Sequence, residues 1–273
     1  MNIQNKNEIN NYLKLKANYY RKETIRIHGL SPGSRLASSL SIVEILTCLY
    51  CGDILRYDPE CPDWEERDRL IISKGHGGIT LYPILADLGF ISHEDIETIN
   101  QKNARIGDIL DASTPGVETI NGSLGHGIGI ATGMALGLNK KMIPASAIVI
   151  MGDGELNEGS VWEAIMFAGH HQLNNLFLIL DCNKISMLDY CRNTIDLEPL
   201  EEKLKLFKWD CERVHGHEID QLYPVLQSIN EKNGSKPKAI IADTIKGKGV
   251  KELENNPMCH ILTLSQNEVK TYL

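Results

Sequence analysis

The stretch Ile148-Val-Ile-Met-Gly-Asp-Gly-Glu-Leu-Asn-Glu-Gly159 decides the fold when it is read with Leu176-Phe-Leu-Ile-Leu-Asp-Cys-Asn183 downstream. An unbroken apolar run enters a glycine-flanked aspartate, a segment of helical period runs from Gly159 to His171, and a second apolar run ends at Asp181-Cys182-Asn183. Apolar runs without polar alternation, joined by a helix, are the pattern of parallel strands buried on both faces. A right-handed βαβ crossover brings both strand ends to the same sheet edge. Asp153 and Asn183 thereby become neighbours although 30 positions separate them in sequence. Open α/β sheets bind their ligands at that edge.

Outward from this unit, further buried strands are expected at 69–73 (Arg-Leu-Ile-Ile-Ser), more weakly around Arg213-Val214, and at 238–243 (Lys-Ala-Ile-Ile-Ala-Asp). Apolar residues at i, i+3 and i+4 predict helices over 7–28, 41–51, 78–88, 93–103, 125–139 and 219–230. Strands alternating with helices imply an α/β fold, a doubly wound, mostly parallel sheet flanked by helices. No repeat, low-complexity tract or linker divides the chain, so residues 1–273 read as a single domain. From about Lys246 onward the periodicity fades, and this extension is expected to be irregular, wrapping the surface or meeting a partner.

With 36 acidic and 28 basic residues the net charge is −8, which disfavours a nucleic-acid partner and requires a local positive site or a bridging cation for any anionic ligand. No apolar run approaches the roughly 20 residues that span a bilayer, and the polar start MNIQNKNEINNY has neither signal nor transit character, so a cytoplasmic location without membrane contact is expected. Seven scattered cysteines fit reduced thiols. Cys48 and Cys51 form a C-x-x-C at a helix end, without a second ligand pair at finger spacing.

A carboxylate beside an amide oxygen, with glycines permitting close backbone approach, suits a hard octahedral cation that takes the rest of its shell from phosphate and water. The pair therefore predicts a magnesium-bound diphosphate. Taken alone, the same residues also suit a simple turn and a strand-end cap.

Gly152-Asp153-Gly154 followed by Asn183 resembles the thiamine diphosphate motif, and the whole of GDGELNEGSVWEAIMFAGHHQLNNLFLILDCNKI resembles its transketolase version. Ser73-Lys-Gly-His-Gly77, Thr114-Pro-Gly-Val-Glu118 with Gly122-Ser-Leu-Gly125, and Ala242-Asp-Thr-Ile-Lys-Gly-Lys-Gly-Val250 match further motifs of that family in the same order. The resemblance implies that Asp153, Asn183 and the main-chain oxygen of Ile185 hold Mg2+, or another divalent cation such as Ca2+ or Mn2+. It places Gly122, Ser123, Leu124, Gly152, Gly154, Glu155 and His76 around the cofactor. His76 and His260 would be active-site histidines, and Glu158 a glutamate at a subunit contact. Each also fits a plainer role: a helix cap for His76, a first-turn carboxylate for Glu158, a surface residue for His260.

Transketolases activate the cofactor's aminopyrimidine with a glutamate of a separate pyrimidine-binding domain, and this chain resembles the diphosphate domain alone. The resemblance thus implies the N-terminal subunit of a split enzyme, transferring a two-carbon ketol unit between small-molecule sugars. Its expected partner is a C-terminal subunit carrying the pyrimidine domain, in a dimer of heterodimers. An acyl-transferring carboligase using an α-keto acid, or a non-catalytic scaffold, is the alternative. Two departures from the family pattern stand out. Arg35 and Leu36 replace the His-Pro of a family loop, and the second family histidine would fall near Asp108 or Ile109. His28 reads as a helix-end residue. His126 replaces a usual glutamine and is expected near the thiazolium, where it restores one donor. Arg35, always charged and fork-shaped, is expected to bind an anionic group of an unusual substrate.

Overall fold

The computed structural model describes residues 6–231 and 234–273. Five parallel strands, β1 (Arg69–Ile72), β2 (Ala147–Gly152), β3 (Leu176–Cys182), β6 (Asp210–His215) and β7 (Lys238–Asp243), form one sheet in the order β1-β2-β3-β7-β6. A two-residue hairpin, β4 (Ile185–Ser186) with β5 (Asp189–Tyr190), follows β3 directly. Eleven helices lie among the described residues: α1 (Lys6–Leu30), α2 (Leu36–Leu40), α3 (Val43–Cys51), α4 (Leu81–Leu88), α5 (His93–Glu97), α6 (Gly127–Lys140), α7 (Gly159–His170), α8 (Cys191–Thr194), α9 (Leu200–Leu206), α10 (Ile219–Gln227) and α11 (Gln266–Tyr272). None is long and apolar enough to cross a membrane.

The strands read as continuous apolar runs because each successive residue enters a different core. Ile148, Ile150, Phe177 and Ile179 pack with α1, α3 and α10 on one face. Val149, Met151, Leu178 and Leu180 pack with α6, α7 and α9 on the other. Period-2 alternation on a sheet covered twice leaves no polar position to reveal it. The edge strand β6, Asp-Cys-Glu-Arg-Val-His, buries only Val214 fully, which explains its weak sequence signal.

The doubly wound sheet agrees with the expectation, and all five strands fall where the apolar runs lie. The chain after Lys246 is more ordered than expected. Val250, Leu253, Cys259, Leu264 and Val269 are buried in the α1-side core, and Ser265 with Glu268 forms a capping box that starts α11. That Ser-x-x-Glu pair is a helix-start signal on its own. The helix expected over 93–103 stops at Glu97. Short elements α2, α8, α9 and β4-β5 carry too few residues for a period to show.

Candidate active site

The carboxyl edge of β2 and β3 builds the site. Gly152 pairs in register with Asp181, so the turn leaving β2 stands beside the turn leaving β3. The turn after β2 tightens at once into a 3-10 segment, Asp153–Asn157. Asp153 is 6% exposed and accepts the backbone N–H of Gly154 on Oδ1 at 2.9 Å and that of Lys184 on Oδ2 at 2.6 Å. Lys184 has a φ of 66°, a left-handed conformation that costs a non-glycine residue of order 1–3 kcal/mol. The bond to Asp153, and the Cys191 N–H donating to the Lys184 carbonyl at 2.9 Å, hold it there. Asn183 and Ile185 thus flank a pinned kink. Asn183 Nδ2 donates to Asp181 at 3.0 Å, and its Oδ1 accepts the Ile185 N–H at 3.2 Å.

Asp153, Asn183 and Ile185 line one cleft of about 410 Å³, together with Ser38, Lys74, His76, Gly122, Leu124, Gly152, Gly154, Glu155, Glu158, Lys246 and His260. Burial, reinforced by the neighbouring Asp181, pushes the Asp153 carboxyl up to about 6 against the hydrogen bonds it accepts. A buried carboxylate so penalised, with no ion pair among the described residues, beside an amide and a carbonyl oxygen, is a donor set that fits a hard divalent cation. Lys246, 4% exposed, donates to the Ile185 carbonyl at 3.2 Å and brings positive charge to the same corner.

Behind this corner lies a buried ion pair. Lys74 Nζ lies 2.5 Å from Asp181 Oδ2 and also donates to Ser38 O at 2.7 Å and Ser41 Oγ at 3.0 Å. Burial alone would raise the Asp181 carboxyl, but the Lys74 charge and hydrogen bonds from Lys74, Thr244 and Ser41 hold it below its ordinary value. Glu155 is also buried; it ties Ser73 Oγ to the Gly125 N–H, the latter at 2.8 Å, while its Oε2 has no hydrogen-bond partner among the described residues. Gly154 is required by packing, since a Cβ there would stand 2.8 Å from Ser186 Oγ and 3.2 Å from Ser186 Cα of the hairpin.

The opposite wall is imidazole and cation. His76, on a 3-10 turn at Gly75–Thr80, meets His260 edge-on with ring centroids 5.0 Å apart. Burial first, then the charges of Lys74, Lys246 and Arg35 with His260 as a neighbour, lower His76 to about 3. Burial, Lys246, Arg35 and Lys74 lower His260 to about 4. Both rings are therefore neutral at neutral pH, and His260 Nδ1 is buried without a hydrogen-bond partner among the described residues.

Arg35 precedes α2, is exposed, and its guanidinium has no hydrogen bond or ion pair among the described residues. Glu158 is exposed at the start of α7 and lines the cleft. Ser123 is exposed and does not line it. His126, expected near the thiazolium, is exposed at the start of α6 and is not among the residues lining this cleft. Sequence reading missed Lys74, Asp181 and Lys246 as site residues, although each lies inside a quoted motif. The available signal was a charged residue at the end of an apolar strand, which is kept only where a partner compensates it.

A strand-end carboxylate, amide and carbonyl oxygen share one cleft of this α/β domain with basic and imidazole groups, a lining whose chemistry suits a cation and an anionic ligand. A family profile described as "Transketolase, thiamine diphosphate binding domain" matches residues 29–272, and the chain belongs to the transketolase family through that domain. It is 38% identical over 255 residues to the 6-deoxy-6-sulfo-D-fructose transketolase subunit of Clostridium sp. strain MSTE9, covering 93% of this chain and 92% of that protein. It is 36% identical to an apulose-4-phosphate transketolase subunit from Actinobacillus succinogenes, covering 96% of this chain and 94% of that one. The crystal structure of transketolase from Campylobacter jejuni superimposes with a TM-score of 0.89 at 30% identity, over 100% of this chain and 42% of that one.

Proposed function

We propose that this chain holds the diphosphate end of thiamine diphosphate in a split transketolase, working with a separate subunit that carries the pyrimidine-binding domain. The observation that carries the reading is the convergence of Asp153, Asn183 and Ile185 oxygens in one cleft with Lys246, His76 and His260. Relatives of matching length that are named transketolase subunits support a divided enzyme. When bound, the cofactor supplies the carbon nucleophile and electron sink of two-carbon ketol transfer.

The chain's own residues bind and orient. Asp153, Asn183 and Ile185 would hold Mg2+ against the diphosphate, and Lys246 would add positive charge beside it. The cation answers the difficulty raised by a net charge of −8. His76 and His260, being neutral, each offer one N–H donor and one lone-pair acceptor to sugar hydroxyls, a form suited to binding and orienting them by hydrogen bonds. Ile130 of α6 and Met166 and Phe167 of α7 are exposed at 37%, 48% and 42%. With Glu158 they supply a surface for the partner subunit, in a cytoplasmic dimer of heterodimers.

The two relatives' names place their substrates among sulfonated and phosphorylated sugars, and the unpaired Arg35 guanidinium matches an anionic substrate in this chain as well. The deciding experiment mixes the purified chain with its candidate partner, thiamine diphosphate and Mg2+, and follows ketol transfer between sugars. Turnover is expected only from the reconstituted pair; turnover by this chain alone would refute the divided enzyme.

A further inference from the structure

Two buried or half-buried histidines outside the cleft make the same pair of bonds. His217 lies just after β6; its Nδ1 is 2.9 Å from Glu44 Oε2 and its Nε2 accepts the backbone N–H of Ile245 at 2.8 Å. His28, at the end of α1 and fully buried, has Nδ1 2.9 Å from Ser34 Oγ, and its Nε2 accepts the backbone N–H of Leu264 at 3.2 Å. A ring nitrogen accepts only when it carries no proton, so each imidazole must be the neutral tautomer with its hydrogen on Nδ1. Ser34 Oγ is free to accept that hydrogen because its own is donated to Ser31 O at 2.7 Å.

Ile245 and Leu264 bracket one length of chain, and Lys246 and His260 both lie within it. Other bonds reinforce the two ends. Arg21, ion-paired to Glu44, donates to Lys248 O at 2.7 Å. Thr263 Oγ1 donates to Pro32 O at 3.2 Å, and Gln266 Nε2 to Gly29 O at 2.7 Å. The His28 end is continuous with Arg35 through Ser34 and with Asp108 through Ser31, whose Oγ donates to Asp108 Oδ1 at 2.7 Å.

We infer that His28 and His217 are positioning residues: each neutral imidazole pins one end of the 245–264 strap, and together they set where Lys246 and His260 stand in the cleft. The functional meaning rests on the proposed reading of that cleft, whereas the clamp itself is testable without cofactor.

The full chain, labelled with nitrogen-15, is the sample. Long-range ring spectra at neutral pH are expected to show both histidines protonated on Nδ1 and bare on Nε2. Replacing either with Phe (His28→Phe, His217→Phe) is expected to speed amide exchange at Leu264 or Ile245 respectively by at least about tenfold. It should also shift the His76 and His260 ring resonances while β2 and β3 amides keep their protection. Gln in the same place (His28→Gln, His217→Gln) retains an acceptor and should restore much of the protection. Hydrogen on Nε2 in the wild-type rings, or unchanged exchange in the Phe variants, overturns the inference. If a Phe variant does not fold, the wild-type tautomers and the Gln variants still decide it. Calorimetry with thiamine diphosphate and Mg2+ on the wild-type chain and its reconstituted complex separates the two readings: absence of binding there defeats the cofactor site and leaves the clamp intact.

Discussion

The two walls of the cleft are made in opposite ways. The β2/β3 wall presents oxygens from residues at adjacent strand ends, aimed by sheet register and by backbone N–H bonds to Asp153. The other wall presents His76 and His260, with Lys246 reaching from it to the Ile185 carbonyl, all from segments far apart in sequence and held by side chains such as His28 and His217. Register in a fully buried parallel sheet is hard to change, because a one-residue slip exchanges the faces of every side chain. A wall of loops tied by individual hydrogen bonds changes at the cost of about 1 kcal/mol per bond. The oxygen-lined end is thus fixed by register, whereas the other end can adjust one hydrogen bond at a time.

The largest test of this contrast is Lys74→Met, which removes one member of the buried pair beneath the first wall. Leaving Asp181 buried without its cation should destabilise the chain by about 3–5 kcal/mol, measured by urea unfolding. The double change Lys74→Met with Asp181→Leu should recover much of that loss. An effect of the single change below about 1 kcal/mol would break the claim that this wall is rigid.

Next in size, Asp153→Asn should weaken Mg2+-dependent thiamine diphosphate binding by about 100-fold or more in the reconstituted complex, as losing a charged ligand does. Calorimetry measures it, and equal affinity would move the cation elsewhere.

The same residue gives a signed pH dependence in the ligand-free chain. Asp153 rises from 3.8 to about 6 on folding, so the folded state holds the extra proton between those values. Its contribution to stability is present below pH 3.8 and is lost as pH rises through 6. The difference between wild type and Asp153→Asn should change by up to about 3 kcal/mol across that window. Mg2+ with thiamine diphosphate, binding only the folded chain, should return stability to the wild type at pH 7 and above.

The smallest expected effect belongs to Arg35, whose charge is felt by the two histidines of the second wall. Arg35→Gln removes a cation that depresses His260 and His76, so both should titrate at higher pH, followed by ring-proton NMR. Burial, the leading cause of both shifts, is untouched by the change, so the rise is modest. In the reconstituted enzyme, Arg35→His should change preference among anionic sugars; an unchanged preference detaches Arg35 from the substrate.

How much was legible follows from the same contrast. β2 and β3 showed as apolar runs, and Asp153 and Asn183 as the polar residues that end them, because local pattern and topology suffice to bring strand ends together. His126 was singled out by its place in a motif, and the fold puts it exposed at the start of α6, a surface position that no local pattern states. His28 looked like an ordinary helix end. Its partners, Ser34 and the Leu264 amide, are 6 and 236 positions away, and no periodicity encodes the second.

By itself, the sequence determined the parallel sheet, the edge at which a ligand must bind and the oxygen donors found there, because hydrophobic period and strand-end chemistry are local properties. Only the tertiary structure decided that Lys74 closes against Asp181, that Lys246 enters the cleft that His260 lines, and that two histidines hold them. Those arrangements depend on burial, which turns a distant charge or lone pair into a required partner.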